Sequence, residues 1–508
     1  MKIARIETFF FYPESGKNLL FCRIETEDGL HGWGESYVGV KKERVVDEYL
    51  RAMAPYVIGR DANNIRHTAQ VMFDDFAIRR SSVDFFCAWS AIELAMWDIV
   101  GKKANMPLYQ MLGGACREKV RIYANGWWYG VTDIDSTVKR ALEVKAMGYT
   151  SLKWDPFPGP WRTFITKQEE DYAVDNVRAM REALGPDMDL LIDAHRRVAP
   201  HHSIRVAKRL EEFGIFCYEE PCLSDNLDLV AEVRQAISTP VVTGETLYTK
   251  EDFARVLEKR AADILNPDIC AVGGLSQMLD IAAMAQPYAV AISPHNYNST
   301  IVGLAATVHL SALIPNFLIA ECFINLKDAC DAIAKPGLNI SEGWVDLPTA
   351  PGLGIDIDVE QMRKKLAESA KTNGLVCEAN LCRNVKLTAL VEKSLAGVPA
   401  AAELMQAYRG ALEKIQSVPA ALAEAPAAPA PDAAPAAATP VAAAASAAPT
   451  AAPSAPPMVQ GKVLEDKFPK PDPATAAADS ATALPWLWLG LGTAALALFA
   501  FGLTRRAA

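Results

Sequence analysis

Residues 190–246 hold three short apolar runs that each end in a carboxylate: LLID at 190–193, GIFCYE at 214–219 and PVVTGE at 240–245. Asp193 and Glu219 are 26 positions apart, and Glu219 and Glu245 are 26 positions apart as well. A gap of that size accommodates a strand, a loop, a helix and the next strand. The equal spacing therefore predicts that the three carboxylates lie at the C-terminal ends of three successive parallel strands.

Three carboxylates that meet at one edge of a sheet would repel one another strongly unless a cation lay among them. A set of oxygen ligands favours a hard cation, so we expect Mg²⁺ on Asp193, Glu219 and Glu245. Taken singly, each acid is typical of a solvated loop, and it is the shared spacing that favours a metal site.

Residues 119–340 alternate between strand-like and helical patterns and predict a catalytic domain. Strand-like runs occur at 120–125, 150–154, 189–193, 215–219, 240–244, 262–266, 289–293 and 317–321. Amphipathic helical patterns lie between most of them, at 135–147, 169–184, 203–213, 227–237 and 250–260. Eight strands in alternation with helices predict a closed (β/α)8 barrel of the TIM type. An open doubly wound sheet is the alternative, but it needs a glycine-rich phosphate turn, and YANGW at 123–127 is not one.

Residues 1–118 have a different pattern and predict an α+β domain. Alternating polar and apolar residues around an Asp28-Gly29 turn predict a three-stranded antiparallel meander. These runs are 2–10, 19–27 and 31–35. Helical periodicity follows at 41–58, 63–78 and 84–104.

The bulk composition excludes some classes of protein. The chain has 508 residues, which is more than one domain needs, and a net charge of −10, which argues against a nucleic-acid-binding face. Its 10 cysteines are scattered, and several lie within apolar runs, as is typical of buried thiols in a reducing compartment. Cys377 and Cys382 lie close together but have no second pair, so we expect no structural zinc site. The strand-like N-terminus does not resemble a signal peptide, and we expect a cytoplasmic catalytic domain.

The C-terminal third differs in composition from the rest. Residues 361–418 have a helical pattern without a recognisable motif, and 419–457 are almost all Ala and Pro, so we interpret 419–483 as a linker. Residues 484–503 form an uncharged apolar run of 20 residues with two Trp at one edge, which predicts a transmembrane helix. A buried core helix is the alternative. We expect the helix to tether the catalytic domain to the membrane.

Further polar residues lie at or just after the ends of the predicted strands and would share the rim with the three acids. They are Lys153 and Asp155 at the end of the second strand, His195 after the third, Asp268 after the sixth, His295 at the end of the seventh and Glu321 at the end of the eighth. A single histidine is more often structural than catalytic. Asp268 and His295, however, follow neighbouring strands, and a carboxylate beside an imidazole fixes its tautomer and raises its basicity, which suits a general base.

Several longer motifs make the chain resemble the enolase superfamily, in its mandelate racemase/muconate lactonizing enzyme subgroup, over roughly residues 1–360. The motifs are WDIVGK at 97–102, PLY at 107–109, LGG at 112–114, EEP at 219–221, GGL at 273–275 and PGLG at 351–354. The resemblance implies that residues 1–118 cap the barrel and are completed by 341–360. It also implies Mg²⁺ on the three acids and abstraction of a proton α to a carboxylate. Lys153 would add positive charge, and a protonated Glu321 would hydrogen-bond a carboxylate oxygen.

One departure from the racemase pattern narrows the expected reaction. Racemases of this subgroup carry Lys-x-Lys at the second strand, whereas this chain has Lys153-Trp154-Asp155. The pattern Asp193-Ala194-His195 is similar instead to the galactonate and mannonate dehydratases. The resemblance therefore implies a sugar-acid dehydratase in which His295 takes the α proton, His195 helps the 3-hydroxyl to leave, and the product is a 2-keto-3-deoxy acid.

Two alternatives remain open from the sequence. One is a racemase or epimerase on the same scaffold, and the other is a non-catalytic sensor or scaffold held at a membrane. As partners we expect a small-molecule carboxylate substrate, the membrane through the C-terminal helix, no nucleic acid, and further copies of the chain in a homo-oligomer. We expect specificity to come from the cap near 13–18 and from Trp127, Trp128 and Trp161.

Overall fold

The computed structural model describes residues 1–13, 18–39, 41–297, 301–365, 375–378 and 381–384. The predicted linker at 419–483 and the predicted transmembrane helix at 484–503 lie outside these residues, as does most of 361–418. Within the described ranges, no helix combines the length and the apolar character needed to cross a membrane. Residues 375–378 and 381–384 form antiparallel strands, so the expected helical pattern is wrong there.

The N-terminal part contains a three-stranded antiparallel meander followed by helices. Its strands are β1 (Ile3–Phe11), β2 (Leu19–Thr26) and β3 (His31–Ser36). Its helices are α1 (Glu43–Val57), α2 (Ile65–Val71), a π-helical turn (Met72–Phe76), α3 (Val83–Ala104) and α4 (Leu108–Met111). Most of these bounds lie within two residues of the predicted ones.

Helix α3 packs directly on strand β3 through glycines. A Cβ atom built on Gly34 would lie 1.7 Å from the carbonyl oxygen of Ala91, and one built on Gly32 would lie 2.2 Å from that of Ala95. Strand and helix backbones are therefore in contact. Because both sides of α3 are covered, it is apolar around most of its circumference.

We expect Gly34→Ala to lower the free energy of unfolding by about 1–3 kcal/mol, because the added methyl group overlaps backbone that cannot rotate away. Urea denaturation of the variant and the wild type would measure the change. Gly39→Ala is the matched control, since its Cβ would meet only the Lys42 side chain, at 3.4 Å. Equal stability of Gly34→Ala and wild type would contradict this packing.

The second part contains eight parallel strands, with a helix between successive strands. The strands are β4 (Lys119–Asn125), β5 (Ser151–Trp154), β6 (Asp189–Asp193), β7 (Cys217–Glu219), β8 (Val241–Thr243), β9 (Ile264–Leu265), β10 (Ala291–Ile292) and β11 (Ala320–Phe323). The helices are α5 (Ile134–Ala146), α6 (Lys167–Leu184), α7 (Pro200–Leu210), α8 (Leu227–Ala236), α9 (Lys250–Lys259), α10 (Leu275–Ala285) and α11 (Ile301–Leu313).

The parallel pairings run from β4 through β10 in order, and β11 pairs back with β4. Ile292 of β10 pairs with Phe317, just before β11, so the pairings pass around all eight strands. An open doubly wound sheet is therefore wrong. Six buried side chains pack together inside the ring. Five come from barrel strands, and the sixth, Ile319, lies just before β11: Tyr123, Leu191, Cys217, Val242, Ile264 and Ile319.

The chain after β11 returns to both parts through α12 (Lys327–Asp331), β12 (Ala334–Lys335), β13 (Ile340–Ser341), β14 (Trp344–Asp346) and β15 (Asp356–Ile357). Strand β14 pairs antiparallel with β4. Asp98 of α3 accepts hydrogen bonds from the backbone N–H groups of Trp33 (3.0 Å) and Leu353 (2.8 Å). Asp356 accepts from the Trp33 indole (2.5 Å). These contacts join residues 344–357 to the N-terminal meander and to the first barrel strand.

Candidate active site

The three acids that share the 26-residue spacing meet at the carboxyl edge of the sheet. Asp193 ends β6, Glu219 ends β7, and the two residues are paired in the ladder between those strands. Glu245 follows β8 by two residues. One carboxylate oxygen from each acid lies within 4.8 Å of the others. Because side chains alternate along a strand, Asp193 and Glu219 face inward in the same direction as Leu191 and Cys217 beneath them.

Lys153 is in contact with this carboxylate cluster. Its Nζ lies 2.6 Å from Glu219 Oε1, 2.9 Å from Glu321 Oε1 and 3.4 Å from Asp193 Oδ2, and its side chain is 2% exposed. Burial opposes the charged ammonium, but Glu219 and Glu321 outweigh it and raise the pKa of Lys153 well above its ordinary value. Lys153 is therefore a fixed positive charge beneath the three acids.

Glu321 differs from the sequence expectation in its position along the strand. It lies inside β11 rather than at its end, and accepts hydrogen bonds from the Asn125 amide (2.7 Å) and from the Asn296 N–H (2.7 Å). Although burial favours the neutral acid, Lys153 and His295 lower the pKa of Glu321 to about 2. The ionised carboxylate is therefore favoured, and the hydrogen bond that a protonated Glu321 would give to a substrate carboxylate stays a prediction. Burial raises the pKa of Glu219, by contrast, to about 7.

His295 is held by Asp268 and faces the cluster. Its Nδ1 lies 2.7 Å from Asp268 Oδ2, and the backbones of the two residues form a parallel bridge. Its Nε2 lies 3.2 Å from Glu245 Oε2 and 3.7 Å from Glu321 Oε2. Burial disfavours the imidazolium, but Glu321 and Asp268 together raise the pKa of His295. The Asp268 contact leaves Nε2 as the nitrogen that faces the cleft.

His195 has the same arrangement with a different carboxylate. Its Nδ1 lies 2.8 Å from Asp155 Oδ2, and its Nε2 lies 3.4 Å from Asp193 Oδ2. Its N–H donates to Asp193 Oδ1 at 2.9 Å, with the backbone in the left-handed region at φ 48°. Burial opposes the imidazolium, but Asp193 and Asp155 raise the pKa of His195. In the sequence, Asp155 was notable because it replaces the second lysine of the racemase pattern. In the structure it hydrogen-bonds His195 and fixes the orientation of the ring.

The register of two neighbouring strands brings Asp155 to His195. Strands β5 and β6 pair with Lys153 beside Leu191 and Trp154 beside Ile192, so Asp155 follows β5 at the level of Asp193. Arg197, also missed, forms an ion pair with Asp155 and donates to the carbonyl oxygen of Phe157 at 3.1 Å. Asp155 is thereby held on two sides.

A cleft of about 800 Å³ opens above the two histidines. Both parts of the protein line it, with Tyr37 and Gly39 from the N-terminal part. Aromatic side chains form much of the remaining wall: Trp128, Tyr129, Trp161, Tyr297 and Phe323. The Trp161 ring lies 5.2 Å from the His195 ring.

Of the residues expected to determine specificity, two line the cleft, one is buried away from it, and one segment lies outside the described residues. Trp127 is 4% exposed and donates its indole N–H to the carbonyl oxygen of Lys153 at 3.0 Å, so its predicted contact with substrate is wrong. Residues 14–17 of the expected cap loop lie outside the described residues. Trp128 and Trp161 do line the cleft.

Comparison with protein families agrees with this architecture. Residues 13–113 match the mandelate racemase / muconate lactonizing enzyme N-terminal domain, and residues 136–362 match the enolase C-terminal domain-like family. The chain belongs to the enolase superfamily, and the resemblance found in its motifs is confirmed.

Individual relatives carry names that specify an activity. D-gluconate dehydratase of Thermoproteus tenax is 32% identical over 69% of this chain and 70% of its own length. D-mannonate dehydratase of a Sphingomonas species is 30% identical, covering 68% of this chain and 90% of the relative. A crystal structure of a mandelate racemase/muconate lactonizing enzyme-like protein from Rubrobacter xylanophilus is 31% identical, with a TM-score of 0.66 over 72% of this chain and 97% of that one. The family and the names of these relatives are consistent with an enzyme of the hydro-lyase class.

Proposed function

We propose that the protein is a Mg²⁺-dependent dehydratase of a sugar acid, an aldonic or aldaric acid, and that it forms a 2-keto-3-deoxy acid. The observation that carries this proposal is the pair of imidazoles. Each is held at Nδ1 by a carboxylate, and the Nε2 of each faces one of the three acids. Dehydration needs one group to take the proton from C2 and another to give a proton to the departing 3-hydroxyl. Two separately held histidines supply both.

The three acids fit a divalent cation of the hard type. Their donors are all carboxylate oxygens that lie close enough to share one ion. Asp193 and Glu219 are each 2% exposed, and Lys153 supplies a single positive charge to a group that also includes Glu321. When bound to Asp193, Glu219 and Glu245, Mg²⁺ would supply positive charge to the substrate carboxylate and so make the C2 proton more acidic.

The remaining steps belong to side chains of this chain. His295 Nε2 takes the C2 proton, and the C2–H electrons pass into the carboxylate to give an enediolate. Those electrons then form the C2–C3 double bond while the C3–O bond breaks. His195 Nε2 donates a proton to the leaving hydroxyl, which departs as water. The resulting enol gains a proton at C3 and becomes the 2-keto acid. Lys153 adds positive charge beside the forming enediolate.

The test of this proposal is a screen of aldonic and aldaric acids for 2-keto acid formation with Mg²⁺ present. Formation of a 2-keto acid from any of them supports a dehydratase. Exchange of the C2 proton with solvent deuterium without loss of water would point to the racemase or epimerase reaction instead. No reaction with the entire set would overturn the proposal.

We expect His195→Asn to lose dehydration by about 10²–10⁴-fold and to keep C2 proton exchange, because proton abstraction precedes departure of the hydroxyl. Deuterium incorporation followed by NMR and 2-keto acid formation, measured on the same samples, would separate the two steps. Asp155→Asn is the accompanying variant, and its smaller effect should fall on the same step. Equal loss of exchange and dehydration would instead assign His195 to support of Asp193.

A further inference from the structure

Arg196 has a backbone conformation that arginine rarely adopts. It follows His195 in the left-handed region, with φ 61° after φ 48°, and its N–H donates to the carbonyl oxygen of Glu220 at 2.8 Å. A left-handed residue other than glycine costs about 1–3 kcal/mol. Glycine would adopt this conformation without the strain.

The guanidinium of Arg196 faces the cleft and forms an ion pair with Glu245. Two other basic side chains, histidines aside, line the cleft within the described residues. Lys153 is surrounded by three carboxylates, and Arg197 is held by Asp155 and by backbone carbonyl oxygens. Arg196 differs because it pairs with Glu245 of the three acids, whereas Lys153 also contacts Glu321 and Arg197 contacts Asp155, neither of which belongs to that group.

This pairing has a consequence for the charge in the cleft. A divalent cation shared by Asp193, Glu219 and Glu245 would draw on the same Glu245 carboxylate that balances Arg196. The guanidinium would then retain positive charge toward the cleft, whereas Lys153 and Arg197 would each keep a carboxylate outside the group of three acids. A planar guanidinium binds a carboxylate through two parallel hydrogen bonds.

We propose that Arg196 binds a second carboxylate of the substrate and that the enzyme therefore prefers aldaric acids, which carry a carboxylate at each end, over aldonic acids. This inference rests on the proposed function. One carboxylate would lie at the three acids and Lys153, and the other would lie beside Arg196 within the same cleft. A volume of about 800 Å³ is in the range of small-molecule sites and accommodates a six-carbon acid.

The first experiment compares galactarate with galactonate, and glucarate with gluconate, because each pair differs only in the terminal carboxylate. We expect wild-type kcat/KM to favour the diacid. Arg196→Gln should lower the diacid value by about 10–100-fold, mainly through KM, and the monoacid value much less, since a hydrogen bond to a charged group contributes about 1.5–3 kcal/mol. Wild-type preference for the monoacid, or equal losses for both acids, would overturn the inference.

Two further variants keep the comparison interpretable. Arg196→Gly removes the guanidinium and also the left-handed strain, so it provides a second test should Arg196→Gln fold poorly. Arg178→Gln removes an exposed arginine of α6 that pairs with Asp175, and it should leave the diacid-to-monoacid ratio as in wild type.

A binding measurement separates this inference from the proposed reaction. Calorimetry with Mg²⁺ present would compare galactarate and galactonate binding to His295→Asn and to His295→Asn/Arg196→Gln. We expect the second substitution to weaken galactarate binding by about 10–100-fold and galactonate binding far less. Equal galactarate affinity of the two proteins would overturn the role of Arg196. If wild type turns over neither acid while this difference is present, the proposed reaction fails and the binding assignment stands.

Discussion

His295→Asn is expected to abolish exchange of the substrate C2 proton and to lower dehydration by about 10²–10⁴-fold, the usual contribution of a positioned general base. Asparagine retains polar atoms near Asp268. It lacks the ring nitrogen that lies beside Glu245 and Glu321 and that would accept the C2 proton. Incubation with substrate in D₂O, followed by NMR of the C2 position and assay of 2-keto acid, measures both effects.

Asp268→Asn provides the comparison for this prediction. It leaves the imidazole in place and removes the carboxylate that holds Nδ1 at 2.7 Å, so the loss should be similar to or milder than that of His295→Asn. Normal exchange by His295→Asn would assign proton abstraction to another group. Lys153 also contacts the cluster, but three carboxylates around it raise its pKa and hold its proton, which makes it a poor base.

The part of the site that could be predicted from sequence is the part fixed by the repeat of strand and helix. Asp193, Glu219 and Glu245 follow successive strands at one spacing, and the carboxyl ends of parallel strands must meet at one edge. The same reasoning placed Asp268 beside His295, whose backbones form a bridge. These predictions needed only the direction and the order of the strands.

The parts that could not be predicted depend on loops and on register. Asp155 contacts His195 because β5 and β6 are paired in a particular register and because the chain after β6 turns through two left-handed residues. No periodicity specifies that turn, since neither residue is glycine. The same turn directs Arg196 to Glu245, a contact that sequence reasoning missed.

The eighth strand shows how a small shift changes an assignment. The apolar run at 317–321 suggested that Glu321 ends its strand, but Phe317 pairs alone with Ile292, and the strand proper begins at Ala320. Glu321 is consequently within the strand and fully buried, where Asn125, Asn296 and Lys153 surround it. Lys153 among these neighbours lowers the pKa of Glu321, and only the folded chain brings the two residues together.

Glu219→Gln is expected to remove Mg²⁺ binding and activity while the barrel remains folded. A neutral amide replaces one of three anionic ligands, so the loss of affinity should exceed the 10–100-fold typical of residues that only orient a ligand. The fold should persist because Lys153 keeps Glu321 at 2.9 Å and Asp193 at 3.4 Å after losing Glu219. Calorimetric titration with Mg²⁺, circular dichroism and 2-keto acid formation measure the three quantities.

Glu220→Gln is the matched control for this prediction, because it changes a neighbouring buried acid that is not one of the three. Glu220 accepts hydrogen bonds from the Thr243 hydroxyl and the Gly244 N–H, each at 2.9 Å, and a glutamine oxygen can accept both. We therefore expect Glu220→Gln to retain Mg²⁺ binding. Wild-type affinity and activity in Glu219→Gln would remove the proposed metal site, whereas parallel losses in both variants would indicate that any change of buried charge at this edge disrupts it.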